Sequence, residues 1–195
     1  MKNILILLLM VVTYSSFSEI VEGGSTEEVN NKRVYISNQE LLIRTPTEGL
    51  TVKEKLLRDT AIKLYQNPNN SDYTLDYLEI FPDNLDDFLA VFDNDRNPDI
   101  KLYSAIYIDL LKQAAIQHPE KGAEVLLGIS KSACLKGDLM NYLQNALRMF
   151  TTHSRKNSDH YLEVNEKLTK KEQKTLSDFF KAKLYSEDGV GLCKE

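Results

Sequence analysis

The chain has 195 residues, of which 42% are hydrophobic and 27% charged, with 8 Gly, 5 Pro, 2 Cys and no Trp. That composition excludes a collagen-like, low-complexity or disulfide-dense scaffold and fits one globular domain. A net charge of -5 argues against a general nucleic-acid binder, whose footprint is basic.

Residues 1–18 read as a signal peptide. Lys2 is the positive start, residues 4–12 are an unbroken apolar run, and residues 13–18 are mostly small and polar. Ser16 and Ser18 supply the small residues that signal peptidase needs, so cleavage is expected after Ser18. The run is too short to span a bilayer, which takes about 20 apolar residues, so no membrane span is expected once it is removed. The expected location is the periplasm or the exterior. In that oxidising setting Cys134 and Cys193 are expected to form a disulfide. The plainer alternative is a Cys134 packed as a small hydrophobe and a free Cys193.

Residues 19–49 are polar and read as a poorly ordered leader. Its apolar islands, Val34 with Tyr35 and Ile36, and Leu41 with Leu42 and Ile43, read either as strands or as tether points.

The helical domain is expected over residues 50–185. Thr51 and Glu54 form a capping box, each able to satisfy an orphan backbone N–H. Leu57, Ala61, Leu64 and Tyr65 then recur on one face, and Asn67 before Pro68 stops the helix. Ser71 or Asp72 starts the next, with Tyr73, Tyr77 and Phe81 in contact spacing. Pro82 and Asp83 break it. Asp83 is the expected cap of a helix with Leu85, Phe88, Leu89 and Phe92 as its stripe, and Asp83, Asp86 and Asp87 fall in its first turn.

Asn97 and Pro98 open a long helix to about Gln117. Pro119 opens one that carries Ala123, Leu126, Leu127, Ile129 and Cys134, with Gly137 as its left-handed end. Asp138 is expected to cap a helix through Phe150. Residues 154–159 read as a polar loop before a short helix with Tyr161, Leu162 and Leu168. Thr169 and Glu172 form a second capping box ahead of Leu176, Phe179, Phe180 and Leu184. Residues 186–195 are a polar tail. The expectation is an all-α single domain of seven or eight helices in antiparallel or orthogonal packing, with a HEAT-like α-solenoid as an option.

Catalytic signatures are missing. The chain has no G-x-S-x-G elbow, S-x-x-K, C-x-x-C or phosphate-binding loop. His118, His153 and His160 lack metal-ligand spacing and read as surface residues. The run from Asp93 to Asp99 resembles the start of a calcium loop. It holds Pro98 where Gly is needed and Ser104 where a bidentate Glu is needed, so it reads as an interhelix turn. No catalytic residue, cofactor or metal is expected, and the chain reads as a non-enzyme. Asp83, Asp86, Asp87, Asp93, Asp95 and Asp99 have two readings. One is helix capping plus solvation. The other is a negative face that recruits a protein with a basic surface.

Two segments carry a family resemblance. Phe81 and Pro82 followed by Phe88, Phe92, Leu102 and Tyr103 form one; Gly137 and Asp138 followed by Asn141 and Gln144 form the other. They resemble a family of small secreted all-helical bacterial proteins, over about residues 73–150. The resemblance implies an all-helical fold and bacterial export, and it carries over no catalytic residue. The expected function is an exported, non-catalytic helical protein-binding module. Its sharpest version is an immunity-type protein that neutralises a toxin. The alternatives are an envelope scaffolding component and a carboxylate-based cell-wall hydrolase.

Overall fold

The computed structural model describes residues 24–29, 32–93, 98–133 and 138–182, with backbone alone over 24–29 and 32–35. The stretch expected to be a poorly ordered leader contains regular structure. Strand β1 (Gly24–Val29) pairs antiparallel with β2 (Lys32–Ser37), in a register that sets Gly24 opposite Ser37 and Val29 opposite Lys32. The island Val34, Tyr35 and Ile36 lies in β2. This hairpin belongs to a compact unit distinct from the helical one, which begins at Gln39. The second island lies in helix α1 (Asn38–Arg44), where Leu41 and Leu42 are buried. Three adjacent apolar residues are too few to show a helical period. Thr45 Oγ1 donates to Leu41 O at 3.1 Å, beside the Thr45 backbone N–H, and Arg58 Nη2 donates to Ile43 O at 2.7 Å at the end of α1.

Apart from the hairpin, the fold is an all-α single domain. Ten helices stand among the described residues rather than seven or eight. Helix α2 (Val52–Gln66) starts at the capping box: Glu54 N donates to Thr51 Oγ1 at 3.2 Å and Thr51 N to Glu54 Oε2 at 2.6 Å. It ends at Asn67, ahead of Pro68. Helix α3 (Ser71–Ile80) is capped by Asn70, and α4 (Leu85–Phe92) by Asn84 rather than Asp83. Asn84 Oδ1 accepts from Asp87 N at 2.9 Å, which places Asp83 before the helix.

The long helix expected from Pro98 is two helices, α5 (Pro98–Leu102) and α6 (Ser104–Gln117). Tyr103 sits between them at φ -96, ψ 13. The apolar residues resume in step after this one-residue break, so periodicity cannot report it. Helix α7 (Pro119–Ser130) has Lys131 as its C-cap and ends at Ser130, four residues before the Cys134 it was expected to carry. Helix α8 (Asp138–His153) has Asp138 in its first turn. The expected loop at 154–159 is instead the start of α9 (Arg155–Glu166), with Ser154 Oγ accepting from Asn157 N at 3.3 Å. Asn157 is its one fully buried residue, and Tyr161 and Val164, which pack against the core, come only in its second half, so nothing apolar announces its first turns. Helix α10 (Lys170–Lys181) starts at the second capping box.

The helices stack as hairpins. Helix α2 packs on α3, and α3 on α6; α6 then lies along α8 while α7 lies along α9. Each helix from α2 to α10 is thus packed against its neighbour in sequence or the next but one, as expected of an all-α domain. Close approach is set by glycine: a Cβ on Gly122 would stand 2.5 Å from Ala115 Cα, so α7 can meet α6 there only without a side chain. At the centre, rings stack from α3 to α6. Phe81 lies 5.6 Å from Phe92, Phe88 5.1 Å from Phe92, and Phe92 5.6 Å from Tyr107. Full burial of such a side chain contributes about 1.5–3 kcal/mol. Tyr77 Oη donates to Tyr107 O at 2.9 Å. Burial pushes both phenols above their ordinary range, so they remain neutral hydroxyls at physiological pH.

Candidate functional site

The turn between α3 and α4 builds the site. Phe81 is drawn into the aromatic cluster, 5.5 Å from Tyr77 and 6.2 Å from Phe88, which fixes Pro82 and Asp83 beside it. On the other side, Gly128 of α7 lets the loop in: a Cβ there would stand 2.1 Å from Asp83 O. The loop is thus held between an aromatic anchor and a helix backbone.

This loop lines a groove of about 490 Å3 together with the first turns of α2, the end of α3 and one face of α4 at Asp87, Ala90 and Val91. Leu56, Ile80 and Val91 supply apolar lining. Leu56 exposes 50% of its surface to solvent, whereas its neighbour Leu57 exposes 2%. Glu79, Asp83 and Asp87 are exposed acids on the rim, and Lys53 is the cation among the described lining residues. Glu54 also lines the groove, but its carboxylate is committed to the cap of α2.

The two aspartates are held together by one side chain. Asn84 Nδ2 donates to Asp83 Oδ1 and to Asp87 Oδ2, each at 3.2 Å, while its Oδ1 is fixed by Asp87 N. Two like charges on one amide repel, and a cation brought to the rim relieves that repulsion.

The six predicted acidic residues do not act as one cluster. Asp83 and Asp87 line the groove, and Asp86 is exposed in the first turn of α4. Asp93 lies at the far end of α4 and pairs with Lys101 at 3.2 Å. Asp99 begins α5 and lines a separate cavity of about 320 Å3 with Thr45 and Pro46. Asp95 lies outside the described residues, as do Cys134, Cys193, Gly137 and the whole of 1–18. Leu56, Glu79, Ile80 and Val91 were missed. A signal existed for Leu56: adjacent to Leu57 and one turn from Val52, it lies off the inward face of α2, and Val52 is 83% exposed.

His118 is not a free surface residue. Its Nε2 lies 2.8 Å from Thr74 Oγ1 and 3.1 Å from Ser71 O. A carbonyl only accepts, so Nε2 carries the proton and the ring pins the corner between α6 and α7 to the start of α3. His160 is partly buried, and its Nδ1 lies 3.0 Å from Glu163 Oε2. Both rings line a cavity of about 360 Å3 with Lys121 and Lys156. His153 is exposed at the end of α8. Among the described residues no three His, Asp or Glu side chains group as metal ligands, and no helix is long and apolar enough to cross a membrane.

Compared with family models, curated proteins and solved structures, the chain matches none.

Proposed function

We propose that this chain is an exported, non-catalytic module that binds another protein through the groove between α2 and α4. The groove itself carries the reading: an apolar lining with an acidic rim is complementary to a basic protein surface that also presents apolar residues. Export rests on Lys2, the apolar run 4–12 and the small residues Ser16 and Ser18. The resemblance to small secreted helical bacterial proteins points the same way. An immunity-type role is the sharpest form of the proposal, since neutralising a toxin asks only for tight binding.

The test is co-purification. The full chain is exported with its own N-terminal segment and isolated from the periplasm, and retained proteins are identified by mass spectrometry. One stoichiometric partner with a basic surface is expected, and D83K with D87K should release it. A protein that stays monomeric and retains nothing overturns the proposal.

A further inference from the structure

Building on the reading of this chain as a protein-binding module, we infer that the groove takes an amphipathic helix of the partner, apolar on one face and flanked by Lys or Arg.

The geometry of the walls excludes an added strand. The lining is helices and the short α3–α4 loop; the helices' backbone groups are already bonded along their own axes, so no sheet edge is offered for an extended peptide. What they do offer is a trough. The lining residues of α4, Asp87 to Val91, span about 6 Å, one helical turn, and the first turns of α2 with Ile80 at the end of α3 extend the surface a partner helix would meet. Leu56, Ile80 and Val91 would receive apolar positions spaced at i, i+3 or i+4, and i+7.

The rim selects the sign of the flanks. Asn84 already holds the carboxylates of Asp83 and Asp87 at one edge, so a Lys or Arg arriving there finds two acceptors in place. The same rim opposes an anionic lipid surface, whose headgroups it would repel.

The chain carries its own precedent. Helix α10 is amphipathic and basic, with Leu176 and Phe179 buried and Lys170, Lys171, Lys174 and Lys181 exposed. It lies on α7 and α8. A helix of this character is therefore one that the fold already holds in a trough between its helices.

Fluorescence anisotropy on the full chain tests the inference with labelled peptides. One is an amphipathic helix of Leu and Lys, the second its Leu and Glu counterpart, and the third the Leu and Lys peptide with a central proline that breaks the helix. The first should bind, and the other two about tenfold or more weaker. D83K with D87K, and separately Leu56→Ser, should each weaken the first peptide by about tenfold. Asp178→Lys, an exposed reversal on α10, should leave it unchanged. All four altered side chains are exposed, so folding should be kept, with thermal melting as the check. If the charge reversal fails to fold, Leu56→Ser alone decides.

Equal binding of the proline peptide or the acidic peptide overturns the inference, as does full binding by the groove variants. The two proposals fail separately. A native partner that the groove variants still retain leaves the module and removes the groove helix. Groove-dependent peptide binding without any retained partner does the reverse.

Discussion

Two troughs on this molecule differ in whether the chain fills them. The one over α7 and α8 is covered by α10; the one between α2 and α4 is open. In the filled trough Leu176 and Phe179 expose 0% and 1% of their surface, and the end of α10 is clamped from α8. Arg148 Nη2 donates to Phe180 O and Ala182 O, both at 2.7 Å, with its guanidinium 5.9 Å from the Phe180 ring centre. Gln144 Nε2 donates to Phe179 O and to Ala182 O. A cation and an amide thus meet carbonyls at the C-terminal end of α10, where the helix dipole is negative. The open trough has half-exposed Leu56 and acids at its rim, and no element of this chain among the described residues covers it. The difference separates apolar residues sealed inside the fold from apolar residues that line an open groove.

Mutations can break that comparison. The largest effect is expected from Phe179→Ala, which empties a sealed position and should cost about 3–5 kcal/mol in urea denaturation. A cost below about 1 kcal/mol would mean that α10 is not seated. Gly128→Ala comes next. Its Cβ must displace the Asp83 carbonyl, so about 1–3 kcal/mol should be lost, and peptide binding in the groove should fall with it. Stability loss with binding intact would show that the loop position does not shape the groove.

Arg148→Ala should cost about 1–2 kcal/mol by leaving the carbonyls of Phe180 and Ala182 with fewer donors. Arg148→Lys should recover only part of this, because one ammonium cannot reproduce the fork. Equal loss in both variants would favour the planar contact with Phe180 over charge.

The smallest effect is at the other end of α10. The Thr169 hydroxyl and backbone N–H, with Lys131, hold the Glu172 carboxyl down at about 2. Its folded value lies below the ordinary 4.5, so its contribution is full above that pH and is lost as pH falls toward 2. Glu172→Gln should flatten that part of the acid limb in a pH series of thermal melts. An unchanged acid limb would show that the cap and the Lys131 contact do not stabilise α10.

The legible parts of the fold were those written locally. Thr51 with Glu54, Thr169 with Glu172, and Pro119 each declare a helix start through their own side chains. Only the second half of helix α9 was legible, through Tyr161; its first turns hold polar residues whose one buried member is Asn157, so they read as a loop. At the site, Asp83 and Asp87 were visible as acids, but their joint hold by Asn84 was not. Asn84 took the cap expected of Asp83, and one residue of shift decided which side chains met.

By itself, then, the sequence determined the all-α class, the capped helix starts and the charges available near α4, since each depends on neighbours within about one helical turn. Only the tertiary structure decided that Gly128 admits the Asp83 backbone, that α10 covers one trough, and that Leu56, Ile80 and Val91 line another. These are contacts between distant segments, and whether an apolar side chain ends in a core or on a groove wall depends on which other helix arrives to cover it.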